Sequence, residues 1–131
     1  MYNQRGFEKF SFSAIFKMAQ EEYKRITGKD VTKKGLIEDI DLIIKKIESI
    51  VELSKSAKDF LVEFYKNIKR GFMGMSFNPS DEDLKKAIEI IKNIITLSCQ
   101  SKEDVDKFTF WADLLTWLID VRKNRKQVNM R

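Results

Sequence analysis

The sequence predicts an all-α protein, a bundle of about five helices. Three observations carry that expectation. One proline and five glycines in 131 residues leave too few turn residues for a sandwich or barrel, which must reverse the chain every ten residues or so. Apolar residues recur at helical spacing along most of the chain. Serine, threonine and glycine stand where those stripes start and stop, as helix caps do. The length suits one domain, and a chain of this size buries roughly two-thirds of its unfolded surface.

The first helix carries Phe12, Ile15, Phe16, Ala19, Tyr23 and Ile26 on one stripe and stops at Gly28. Thr32 is placed to cap the second, with Val31 and Leu36 as the two halves of a hydrophobic staple. Its inward stripe reads Leu36, Ile40, Ile43, Ile44, Ile47, Ile50 and Val51. A break at Ser54-Lys55-Ser56 introduces a third helix with Ala57, Phe60, Leu61, Phe64 and Ile68 inward, and one long bent helix is equally compatible with the pattern.

The fourth helix has the clearest start. Pro79 precedes Ser80, which caps an acidic first turn, Asp81-Glu82-Asp83, that complements the positive end of the helix dipole. Leu84, Ala87, Ile88, Ile91, Ile94 and Ile95 form its stripe, and Ser101 caps the fifth helix before Lys102-Glu103-Asp104. That last helix has two apolar faces, one of Val105, Phe108, Ala112, Leu115 and Ile119, the other of Trp111, Leu114, Leu118 and Val121. A helix apolar around so much of its circumference either lies at the centre of a bundle or offers a face to a partner. An internal echo at an offset of 47 pairs Ile43-Ile44-Lys45 with Ile90-Ile91-Lys92 and Ser54-Lys55 with Ser101-Lys102. Two helical hairpins sharing a core is the architecture it suggests.

Between the third and fourth helices runs Gly71-Phe72-Met73-Gly74-Met75-Ser76-Phe77-Asn78-Pro79, too apolar for an ordinary solvated loop. Its aromatics either plug the open end of the bundle or, with the methionines, form a docking loop. Stacking of these rings on unpaired bases beside Lys69 and Arg70 is a third option.

Charge is unevenly distributed. The chain holds 25 basic and 20 acidic residues. Arg122, Lys123, Arg125, Lys126 and Arg131 lie in the last ten residues, which carry no acid, so residues 1–121 are neutral. The expected organisation is therefore one helical domain over 1–121 and a basic tail over 122–131. Two further basic clusters are Lys24, Arg25, Lys29, Lys33 and Lys34, and Lys66, Lys69 and Arg70. Such clusters suit contacts to a phosphate backbone, where each cation releases condensed counterions. They also fall at helix C-termini, where basic residues complement the macrodipole.

Much chemistry is missing. There is no histidine. The lone Cys99 has no imidazole base beside it to make it a nucleophile and no second cysteine for a disulfide. Gly71 and Gly74 are not part of a phosphate-binding loop, and the donors for a zinc site are lacking. No metal or other cofactor is expected, and acid pairs such as Glu38 with Asp41 read as solvated helix faces. The start of the chain has no apolar leader, and the longest apolar stretch, residues 111–119, is too short to span a bilayer. A non-enzymatic, cytoplasmic protein follows, without membrane contact.

The run Met18-Ala19-Gln20-Glu21-Glu22-Tyr23-Lys24-Arg25, followed by Val31-Thr32-Lys33-Lys34, resembles the first half of the small all-helical subunit of type III CRISPR effector complexes. Glu103 to Trp117, an acidic-aromatic turn opening an aromatic-rich helix that ends basic, is similar to that family's closing helix. The likeness is one of pattern and spans roughly residues 16–126. Of the family's frequent Thr-Ser-Gln-Ile-Arg opening only Thr32 and the apolar pair Leu36-Ile37 remain. The resemblance implies a non-catalytic subunit of a ribonucleoprotein that stacks along a guide RNA and touches backbone without reading bases, so RNA rather than DNA is the expected partner.

Two expectations result. The first is a backbone-binding subunit of a larger complex, using Lys24, Arg25, Lys29, Lys33, Lys34, Lys66, Lys69, Arg70, Arg122, Lys123, Arg125 and Lys126, with other protein subunits as partners. The second is a helical protein-binding module, an adaptor or inhibitor, using Phe72, Met73, Met75, Phe77, Trp111 and Trp117, with self-association allowed.

Overall fold

The computed structural model contains five α-helices: α1 Phe12–Thr27, α2 Lys33–Ser49, α3 Lys55–Phe72, α4 Asp81–Leu97 and α5 Lys102–Asn129. It describes residues 12–75 and 77–129, with side chains as far as residue 124. The all-α class expected from sequence is what the chain adopts.

Side-chain caps set the helix starts. The hydroxyls of Thr32, Ser54, Ser80 and Ser101 accept hydrogen bonds from the backbone N–H groups of Gly35, Ala57, Asp83 and Asp104 at 3.0–3.2 Å. Each satisfies a donor that the first turn leaves without a partner, at about 1 kcal/mol. At the other end of α1, Gly28 takes φ +76 and turns the chain. The break before Ser54 separates two helices rather than bending one, because Ile50 turns extended and its N–H returns to Ile47. Val51 therefore leaves the stripe assigned to it and stands 88% exposed in the connection.

Packing follows the two-hairpin plan. α2 lies against α3 and α4 against α5, while α3 meets α4 to join the pairs. Both hairpins are antiparallel. Lys58 at the start of α3 reaches the Glu48 carbonyl at the end of α2, while Lys69 near the end of α3 pairs with Asp41 midway along α2. Arg122 in the second half of α5 pairs with Asp81, the first residue of α4. α1 closes the bundle against α5 and α3. Both apolar faces of α5 are covered, with Phe108, Phe110, Trp111, Ala112, Leu114, Leu115 and Leu118 all buried, so α5 takes the central position. Val62, Tyr65 and Ile90 are buried in addition to the expected stripes.

The segment after α3 differs from the expected nine-residue loop. The helix continues through Phe72, and Gly74 at φ +97 makes the turn. Gly71 permits the closest approach at any described glycine, since a Cβ there would lie 2.0 Å from the Phe12 ring. An aromatic chain then crosses the bundle: Phe60 to Phe64, Phe64 to Phe77, Phe77 to Phe12, Phe12 to Phe72 and Phe72 to Phe16, with centroids 5.2–6.3 Å apart. Edge and tilted contacts of this kind contribute beyond simple area burial.

The helix carries on past residue 122, where the expected tail begins. Arg122 is only 6% exposed, and α5 runs on through Asn129. Among the described residues no helix is long and apolar enough to cross a membrane.

Candidate nucleic-acid interface

Folding divides the basic residues between two regions. The α2–α3 hairpin sets the start of α2, with Lys33 and Lys34, beside the end of α3, where Lys33 shares a cleft with Gly71 and Gly74. The Phe12 ring meets Phe77 at 5.8 Å, and the neighbouring Asn78 accepts from Arg122 at 3.4 Å. These links carry the same end of the bundle across to α5 where it leaves the core. Lys33, Lys34, Lys66, Lys69, Arg70, Arg122 and Lys123 thus share one end. Lys24, Arg25 and Lys29 lie apart, toward the start of α5: Arg25 reaches Asp113, and Lys29 faces Lys102, Glu103, Asp106 and Lys107.

Several cations are committed to carboxylates. Arg25 bonds Glu22 at 2.8 Å and Asp113 at 3.1 Å, which holds the Glu22 carboxyl below its ordinary range. Lys24 pairs with Asp30 at 3.5 Å, Lys69 with Asp41 at 2.8 Å and Arg70 with Glu63 at 3.3 Å. The exposed pairs are worth at most about 1 kcal/mol each. Arg122 differs in kind. Its guanidinium lies 2.7 Å from Asp81 and is nearly buried, so it is a structural tie between α5 and α4 and not a surface phosphate contact.

Lys29, Lys33, Lys34, Lys66 and Lys123 are exposed and pair with no carboxylate among the described residues. Four of them belong to the shared end. The acidic first turn of α4 also lies there, and Arg122 takes up its Asp81. The side chains of Arg125 and Lys126 lie outside the described residues, while their backbone continues α5 past Arg122 by about 10 Å as far as Asn129.

The residues expected to contact a protein partner split into three groups. Phe72, Phe77 and Trp111 are buried core side chains, at 2%, 8% and 1% exposure, and are not displayed to a partner. Phe72 and Phe77 act as the plugs, because they bury their rings against Phe12, Phe16 and Phe64. Trp117 is half-buried against the core. Met73 and Met75 alone stand out, 62% and 59% exposed on the turn around Gly74.

One cleft at the basic end was not legible in sequence. Phe12, Ser13, Phe16, Lys33, Gly71, Phe72 and Gly74 line about 300 Å³. Its walls come from the start of α1 and the end of α3, so no local pattern announces it. Elsewhere, Lys46 bonds Asp104 at 2.6 Å beside the half-buried Cys99. Burial, and then the Asp104 charge, push the Cys99 thiol up, partly offset by Lys46. Among the described residues no three acidic or cysteine side chains converge as metal ligands.

Compared with known proteins, the chain matches no family model, no curated protein and no solved structure.

Proposed function

We propose that this protein is a non-catalytic helical module that holds a nucleic-acid backbone, with RNA the expected nucleic acid, within a larger ribonucleoprotein in the cytoplasm. The likeness to the small subunit of type III CRISPR effectors belongs to the same proposal. The observation that supports it is the set of exposed lysines that pair with no carboxylate among the described residues, Lys33, Lys34, Lys66 and Lys123, contributed by three helices toward one end of the bundle. Such a set neutralises phosphates without selecting bases, so affinity falls with salt in proportion to the contacts made.

The test is fluorescence anisotropy of a labelled RNA oligonucleotide across a salt series. Lys33→Ala, Lys34→Ala and Lys123→Ala together should reduce the salt slope by roughly two to three. Arg122→Met should leave it unchanged, because Arg122 is engaged with Asp81. Absence of salt-dependent binding by the unaltered protein, or a slope indifferent to the triple change, overturns the reading.

A second reading keeps one observation of its own, the two exposed methionines on the Gly74 turn. Flexible thioethers suit an apolar protein partner. Binding that is insensitive to salt and lost in Met73→Ala/Met75→Ala would favour it.

A further inference from the structure

We propose that the cleft between the first turns of α1 and the end of α3 receives an unpaired nucleobase, so that the nucleic acid is held single-stranded. The inference rests on the backbone-binding reading above and adds the class of ligand. Phe12 and Phe16 are four residues apart on α1 and share a face. Both rings remain half-buried at the cleft, whereas Phe72 behind them is closed into the core, edge-on to each at 5.2 and 6.3 Å. The tip of the Phe12 ring rests against Gly71, and the cleft is open at Gly74, where no non-neighbouring atom among the described residues lies within 4 Å of the position a Cβ would take.

The electrostatics select the occupant. Lys33 lines the cleft, no carboxylate among the described residues does, and exposed Lys34 follows it at the start of α2. A slot of aromatic side chains with a cation at its mouth matches one nucleotide of a single strand: the base lies against the rings and the flanking phosphate against the ammonium. Bases in a duplex are stacked and paired, and cannot enter. The contact tolerates any base, because each presents a π-face.

Three probes of equal length and label test this with the full chain: a single-stranded RNA, the same strand annealed to its complement, and the same strand carrying abasic sugars throughout. The unaltered protein should bind the base-bearing single strand roughly five- to hundredfold more tightly than the abasic one. Phe16→Leu keeps an apolar side chain in place and should bring the base-bearing strand down to the abasic affinity. Circular dichroism of Phe16→Leu checks that the fold is kept, and Phe12→Leu provides a second variant. Equal, salt-dependent binding of all three probes overturns the slot while leaving backbone binding intact. No salt-dependent binding of any probe overturns the backbone reading itself. Capture of an acidic peptide with an aromatic anchor, lost in Phe16→Leu while RNA affinity is unmoved, overturns the slot by assigning the cleft to a protein.

Discussion

Arg122, deep in α5, reaches across 41 residues of sequence to Asp81, the first residue of α4, at 2.7 Å. The arginine is nearly buried, while the carboxylate keeps a third of its surface in water. Losing the acid should therefore hurt more than losing the base. Asp81→Asn removes the charge opposite a desolvated guanidinium and should cost about 2 kcal/mol. Arg122→Met retains the apolar stem, returns Asp81 to solvent and should cost less. Urea denaturation of both variants checks the order.

Gly71 and Phe12 occupy space that only one side chain can fill. Alanine at 71 would gain about 1 kcal/mol of helix propensity, yet its Cβ would lie 2.0 Å from the ring. The overlap should dominate, leaving Gly71→Ala less stable by about 1–2 kcal/mol. Adding Phe12→Ala should recover part of that loss, as a double-mutant cycle followed by thermal unfolding will show.

Tyr65 is fully buried, and its hydroxyl finds no hydrogen-bond partner among the described residues. Burial pushes its ionisation well above the ordinary range. Tyr65→Phe should be neutral or stabilising by up to about 1 kcal/mol, because an unsatisfied polar atom is removed and the ring is kept. Trp111, whose ring meets Tyr65 edge-on at 5.4 Å, behaves oppositely. Trp111→Ala should cost about 3–5 kcal/mol. Chemical denaturation distinguishes the two.

Cys99 should alkylate slowly at neutral pH. Burial and the Asp104 carboxylate both disfavour the thiolate, so the rate-against-pH midpoint with iodoacetamide should lie above that of a free thiol. Asp104→Asn should move the midpoint down, because it deletes a negative charge and leaves the Lys46 ammonium uncompensated. The folded form holds the proton more tightly than the unfolded one. Its contribution to stability is thus whole below the ordinary thiol pKa and fades as pH climbs from there to the folded value.

Features set within one or two turns of sequence were legible in advance. Thr32, Ser80 and Ser101 cap where their spacing indicates, Ser54 caps α3 at the expected break, and the echo between Ser54 and Ser101 matches the two hairpins. What escaped depends on partners far along the chain. Val51 fits a helical period but falls after the α2 cap. Tyr65 and Val62 look peripheral on a single stripe, yet α3 meets α2, α4 and α1 and buries more than one face. Arg122 reads as the first residue of a basic tail until Asp81 is brought beside it. The slot at Phe12 and Phe16 exists only once α1 lies on α3.

The position of α1 has a kinetic consequence. Each hairpin is closed by a short connection and forms from near neighbours, which favours rapid assembly. α1 seats on a surface that α3 and α5 make jointly, tied to α2 and its approach by Gln20 to the Val31 carbonyl and Tyr23 to Asp39, so it should dock last and detach first. Amide protons of α1 should accordingly exchange at lower opening energies than those of α4 and α5, and the cleft beneath Phe12 assembles and dissolves with that helix.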